Sequence, residues 1–420
     1  MRIHIKNARV VDPASGKEGT GDVFVADGKI VESLKDKAEK VIDAKGLVVA
    51  PGFIDLSARL REPGHEYKAT LESEMDAAIA GGVTSLACPP DTDPPLDEPG
   101  LVDMLRRRAK ALSRARVYPV GALTVKLAGE ALTEMGQLAD AGCVAFSQAN
   151  APLADTQVLW RALQYAATFG FPVWLRAEDA WLAKGGVSHD GEVATRLGLP
   201  GVPAFAETIA LATILELVRA TRARVHICRL SSAGGVELMR RAKEERLPVS
   251  CDVGIHHVHL CDMDLGYFDS HCRLEPPLRS QRDRDALARA AADGVVDCLC
   301  SDHTPVDEDG KHLPFAQAEP GATGLELLLP LTLKWGQAHG LPLAATLARI
   351  TSEPARILGV ASGRLAAGAP ADLVLFDPAA PLKVAAETLK SQGKNTPFLG
   401  YELAGRVHAT IVAGNVVYES

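Results

Sequence analysis

Between residues 53 and 302 short apolar runs alternate with longer amphipathic stretches. This rhythm limits the possible folds more than any other property of the chain. Runs at 53–60, 84–88, 116–121, 143–147, 172–176, 224–229, 248–253 and 296–302 have the length and composition of buried strands. Helical periodicity occupies 70–80, 99–111, 155–168, 205–219, 233–244 and 283–292. Eight strands, each followed by a helix or a long loop, predict an α/β fold built on a (β/α)8 TIM-type barrel. An open doubly wound sheet is the competing arrangement, but no Gly-rich phosphate loop follows any of these strands.

The ends of the chain read differently. Residues 2–11 and 22–31 alternate like half-buried strands, the second folded back at Asp27-Gly28, a hairpin signal. The same alternation returns at 371–377 and 406–418, with Gly414-Asn415 as a turn. Either segment alone would make a poor sheet. The expectation is therefore a small composite β-sandwich domain from residues 1–50 and 359–420, flanking a barrel of residues 51–358. Barrels of this size routinely form one domain.

A formal charge of -8 and a pI near 5.9 give no electrostatic reason to expect nucleic acid or an anionic membrane as partner. No apolar run has the length of a membrane span, and Met1-Arg2-Ile3-His4 opens into a strand pattern rather than a signal peptide. The 8 cysteines are scattered, mostly in apolar runs, which suits reduced core thiols. The expected location is the cytoplasm.

In a barrel the chemistry lies at the C-terminal strand ends. The first strand ends in Ser57, Arg59 and Arg61, which with Asp55 are two apart and are expected on one face. A polar row in an apolar strand is costly unless each member is partnered, so it marks a site. The second strand leads into CPPDTDP (88–94), the fourth ends in SQAN (147–150) and the fifth in RAED (176–179). The sixth ends in Cys228-Arg229-Leu230-Ser231 and the eighth in SDHTP (301–305). His256-His257-x-His259 suggests metal, but it lacks a helix-period pair or a separated carboxylate, so these are read as loop histidines. His226, inside the sixth strand, is read as a satisfied core histidine. Asp302 and His303, adjacent on a strand, should face opposite ways. Ser57 has no evident base beside it, which argues against a serine nucleophile.

These motifs resemble the type I dihydroorotases of the amidohydrolase superfamily over nearly the whole chain. PGFIDL (51–56) with LREPG (60–64), CPPDTDP, FDSHCRLEPPLRS (268–280) with DRDAL (283–287) and SDHTP carry the likeness. So do the loop from Pro314-Phe315 to Gly324-Leu325-Glu326, Pro354–Gly359 and Gly393–Phe398. The resemblance implies a barrel with a composite β-domain and, in active members, zinc. At the positions where it implies metal ligands this chain departs. His-x-His on the first strand becomes Ser57 and Arg59; the aspartate after the fourth falls in Ser147-Gln148-Ala149. The histidines of the fifth and sixth strands become Arg176 and Arg229. Asp302 alone remains. Among the positions where the resemblance places substrate contacts, Arg61 survives, while two asparagines have become Asp91 and Glu275.

Arginine stays protonated and offers no lone pair to a metal. A dication about 5 Å from one guanidinium, at an effective dielectric of about 20, is repelled by roughly 6–7 kcal/mol. Three guanidiniums would offset most of the roughly 10–16 kcal/mol that a good zinc site supplies. The expectation is thus no cofactor, no metal and no catalytic residues, with Ser57, Arg59, Gln148, Arg176, Arg229 and Asp302 as vestigial positions. Arg59, Arg61, Arg176 and Arg229 are read either as an anion pocket or as guanidiniums filling the old metal volume, paired with Asp55, Asp302, Glu178 or Glu275. By resemblance the function is that of a catalytically inactive, dihydroorotase-like structural subunit. It would assemble with the aspartate carbamoyltransferase catalytic chain in pyrimidine biosynthesis, and with itself. The alternative is an active dihydroorotase or cyclic amidohydrolase with an atypical or absent metal site.

Overall fold

The computed structural model describes residues 1–420. Eight strands follow one another in chain order around the barrel: Phe53–Asp55, Val83–Cys88, Arg116–Ala122, Ala145–Ser147, Val173–Leu175, Val225–Ile227, Val249–Gly254 and Cys298–Cys300. Every neighbouring pair is parallel. The seam between eighth and first strands is closed beyond their regular ends. There the Arg59 N–H donates to the His303 carbonyl (2.9 Å) and the His303 N–H to the Ser57 carbonyl (3.0 Å).

Five of the eight regular strands, the first, fourth, fifth, sixth and eighth, are shorter than the apolar runs that foretell them. The first was expected over 53–60 but leaves the ladder after Asp55. The expected polar row breaks with it. Ile54 and Leu56 pack into the barrel interior with Val120, Ala145 and Trp174, while Asp55 turns to the seam and accepts the Ser301 N–H (2.9 Å) and hydroxyl. Arg61 takes a left-handed backbone (φ 62°) and swings away.

The six predicted helices form at Leu71–Ala80, Pro99–Leu112, Thr156–Phe169, Ala204–Thr221, Ala233–Glu244 and Gln281–Asp293. Four start on a side-chain cap, from Thr70, Asp155, Ser232 and Ser280, each accepting a backbone N–H of the first turn. Leu328–Ala338 is a helix that periodicity missed, because its first turn is apolar on every side and carries Pro330. Between helices and strands lies a core of 75 buried residues.

The termini build a second 8-stranded sheet from Ile3–Asp12, Lys17–Ala26, Lys29–Val31, Lys40–Asp43 and Val48–Pro51 with Leu373–Lys383, Glu402–Val412 and Asn415–Glu419. N- and C-terminal halves join where Pro51 to Val48 run antiparallel to Leu373–Phe376. The hairpin at Asp27-Gly28 uses positive φ at both residues (51° and 74°), the conformation that made this pair a turn signal. The barrel and this β-sandwich-type sheet are the predicted fold class. No helix is long and apolar enough to cross a membrane.

Candidate functional site

At the C-terminal mouth of the barrel, four strand ends, those of the first, fourth, sixth and eighth strands, meet on one carboxylate and one amide. Asp302 Oδ1 accepts from Ser57 Oγ at 3.2 Å, Arg59 Nη1 at 3.4 Å and Arg229 Nη1 at 3.2 Å. Asn150 Oδ1 accepts from Arg59 Nη2 at 3.2 Å and Arg229 Nη2 at 2.6 Å. Arg59 also donates to Asp91 Oδ2 (2.7 Å) and Thr304 Oγ1 (3.0 Å). Arg176 makes a two-pronged pair with Glu178 (2.7 Å for each bond) and a third bond to Glu275 (2.8 Å). The side chains of Arg59, Arg176 and Arg229 are each only 4% exposed. Buried guanidiniums need such partners to offset desolvation.

Of the expected partners, Asp302, Glu178 and Glu275 are in place, but Asp55 serves the seam instead. Asp91 and Asn150 complete the set. Neither could be assigned by strand spacing, since both stand on loops beyond the ladder. Gln148 is not part of the cluster. Its amide donates to the Leu127 carbonyl (2.8 Å) and accepts from Thr124 (2.9 Å), facing the third strand's loop. Arg61 has no carboxylate partner; its Nε donates to the Pro305 carbonyl (2.8 Å). Burial, then the nearby Arg59 charge, hold its guanidinium below the usual value. Burial works to raise the Asp91 carboxyl, yet the guanidiniums of Arg59, Arg61 and Arg229 leave it below its ordinary value.

Four non-glycine residues at the mouth have left-handed backbones: Arg61 (φ 62°), Ala149 (φ 50°), Arg229 (φ 54°) and Asp302 (φ 46°). Such residues are uncommon and tend to cluster where function requires a fixed geometry. A cavity of about 20 Å³ remains beside Ser57, lined also by Leu56, Ser147, Trp174, Cys228 and Arg229.

The histidine run does not converge. His257 Nε2 lies 3.0 Å from the Pro276 carbonyl and His259 Nε2 2.9 Å from the Leu331 carbonyl, while His256 stacks on Phe398. His303 faces away from Asp302, onto the buried Glu74. His226 is held on both nitrogens, by Ser250 (2.8 Å) and Asp252 (2.9 Å).

The resemblance implies zinc at these strand ends, and the residues present do not fit it. Three guanidiniums stand where lone-pair donors are needed, and Asp302 Oδ1 is already taken by Ser57 and two of them.

Residues 46–234 match the Dihydro-orotase-like family and residues 201–418 the Amidohydrolase family. A dihydroorotase-like protein of Pseudomonas aeruginosa is 46% identical over 100% of both chains. The chain belongs to the dihydroorotase-like amidohydrolases. A dihydroorotase of Geobacter sp. (strain M21) is 39% identical, again over 100% of both chains. Among solved structures, the L-hydantoinase (dihydropyrimidinase) of Arthrobacter aurescens superimposes with a TM-score of 0.87 at 25% identity, covering 99% of this chain and 96% of its own.

These relatives overturn the expectation of a non-catalytic chain. Full-length homologues are named dihydroorotase and the structural neighbours are hydantoinases, so the comparisons point to a hydrolase. Loss of one ligand set is not loss of the chemistry, and Ser57 does have a carboxylate beside it, that of Asp302, 245 residues away in sequence.

Proposed function

We propose that the chain is a cyclic-amide hydrolase of the dihydroorotase type that does not use a zinc centre at the strand ends. The observation that carries this reading is the meeting of Ser57, Asp302, Arg59 and Arg229 at one point. A hydroxyl, a carboxylate able to take its proton and two fixed cations are the minimum set for acyl transfer. Ser57 Oγ attacks the ring carbonyl, Asp302 receives the hydroxyl proton, and the guanidiniums stabilise the oxyanion. The ring C–N bond breaks, its nitrogen leaves protonated, and water then releases the acyl group from Ser57.

Arg61, with no carboxylate of its own, is the group assigned to a carboxylate on the substrate. The cavity beside Ser57 has room for about one water. Substrate entry therefore requires Glu275 or Asp91 to give up its guanidinium, and a substrate carboxylate is the natural replacement.

The test is turnover of dihydroorotate, carbamoyl aspartate, dihydrouracil and hydantoin by the purified chain, with and without added divalent metal. The proposal expects activity without added metal and its loss by about 10⁴-fold or more in Ser57→Ala. No turnover of any of the four, or full activity in Ser57→Ala, overturns it.

Association with the aspartate carbamoyltransferase catalytic chain, and with itself, is retained as part of the proposal. Its support is the resemblance together with the exposure of Trp181 (74%), Phe205 (54%) and Ile209 (47%), apolar surface of the kind assembly covers. Co-expressed chains that elute separately would remove the carbamoyltransferase partner.

A further inference from the structure

Beneath the arginines, the inward faces of the sixth, seventh and eighth strands carry a different chemistry. His226 is on the sixth and Cys228 stands just past its end, two residues on, while Asp252 faces them from the seventh. One donor atom from each lies within 4.8 Å of the other two. Cys300, from the eighth strand, places its Sγ 3.6 Å from Asp252 Oδ1. None of these side chains has a part in the proposed hydrolysis.

We propose that His226, Cys228 and Asp252 form a three-donor divalent-cation site of the zinc class inside the barrel, with water in the fourth position. Imidazole, thiolate and carboxylate are the donors such a borderline-soft ion takes. With bonds of about 2.0–2.3 Å, tetrahedral donors stand roughly 3.3–3.8 Å apart. The present spacing therefore needs only a modest opening of the His226–Asp252 contact and a closing of Cys228.

The surroundings hold the donors as a metal site would. Ser250 Oγ, 2.8 Å from His226 Nδ1, fixes the ring and leaves Nε2 directed at Asp252. A hydrogen bond on the far nitrogen is the usual support of a metal-bound imidazole. The Arg229 N–H, 2.6 Å from Asp252 Oδ1, does the same for the carboxylate. Between Nε2 and Asp252 Oδ2 a single cation is required, either a proton or a metal. A dication entering there displaces that proton and the Cys228 thiol proton, both passing to solvent. One thiolate and one carboxylate then neutralise the ion, and the filled site has no net charge. From below, a cavity of about 240 Å³ lined by Ser250, Trp174 and Arg356 reaches the His226 side chain.

The test uses the full chain without an affinity tag. Elemental analysis after purification without chelator should find roughly one zinc-class ion per chain. After removal of that ion, Co²⁺ should produce thiolate-to-cobalt absorption that Cys228→Ser abolishes and that Cys272→Ser, altering a distant thiol, leaves intact. Asp252→Asn should weaken Co²⁺ binding at least about tenfold. Metal far below one ion per chain together with no cobalt–thiolate band in the unaltered protein overturns the proposal, as does a band that survives Cys228→Ser. Because catalysis is not the readout, an inactive protein with this band would sink the proposed hydrolysis and leave the cation site standing.

Discussion

Two adjoining layers of the same barrel solve the burial of polar groups in opposite ways. At the mouth, Arg59, Arg176 and Arg229 meet Asp91, Asp302, Glu178 and Glu275, and permanent positive charge is matched by paired carboxylates. In the layer below, His226, Cys228, Asp252 and Cys300 are groups that can give up or share protons. Arg229 joins the two, its guanidinium on Asp302 and its backbone N–H on Asp252. The mouth repels a dication and the interior offers it lone pairs. A barrel that loses its metal ligands at one level therefore need not lose them at another, and the level that lost them retains a hydroxyl and a carboxylate in contact.

The largest effect expected from this contrast is on stability. Asp302→Ala leaves Arg59 and Arg229 buried with a carboxylate missing from between them, a change that costs about 3–5 kcal/mol. Asp252→Asn removes a charge but keeps an acceptor for the Arg229 N–H and a partner for His226, so about 1–3 kcal/mol is expected without metal. Urea unfolding of both variants measures the difference. Equal losses, or a greater loss for Asp252→Asn in metal-free protein, would break the distinction between the layers.

The alternation of eight strands and their helices was legible in the sequence because each strand is buried and each helix amphipathic. The strand ends were legible as a place. What they contain was legible only in part. Arg176, Glu178 and Glu275 pair as charge considerations suggest. Asp91 and Asn150 could not be assigned, because loop geometry brings them in. Gln148 was expected in the cluster and turns away, since its carbonyl and amide find closer partners in Thr124 and Leu127. The polar row of Asp55, Ser57, Arg59 and Arg61 presumed a strand that continued. The backbone leaves the ladder after Asp55 and reaches a left-handed conformation at Arg61, and two-residue periodicity cannot foresee this. Ser57 was dismissed as a nucleophile for want of a base that was 245 residues distant.

A smaller effect separates two buried aspartates. Asp302 sits under two guanidiniums, whereas Asp55 has only hydrogen bonds from Ser301 and Ser57. Burial pushes the Asp55 carboxyl up to about 6 against those bonds, while the unfolded value is about 3.9. A carboxyl raised in the folded state contributes stability below its unfolded value and loses it as pH rises through the folded one. Ionising Asp55 should therefore cost about 3 kcal/mol between pH 4 and 7. Asp55→Asn keeps an acceptor for both N–H groups and does not ionise. It should unfold at higher urea than the unaltered protein at pH 8, with the advantage gone near pH 4.5. An advantage that does not change with pH would show that burial does not govern Asp55.

The smallest effect concerns the thiols, and it probes the interior layer directly. Burial pushes Cys88, Cys143 and Cys272 up to about 12, and Cys228, Cys298 and Cys300 well above the ordinary thiol value. A thiol-disulfide reagent at pH 8 should then label fewer than about one thiol per native chain in minutes, since the thiolate is the reactive form. All 8 should be labelled in denaturant. Cys228 is half-buried where the other seven cysteines are buried, and it lines the small cavity beside Ser57, so it should react first in spite of its raised thiol. Zinc should slow that first reaction and a chelator restore it. If Cys228→Ala leaves the native labelling rate unchanged, the cavity gives no access to the interior layer. The route from below, past His226 and Ser250, would then be the only one a metal could use.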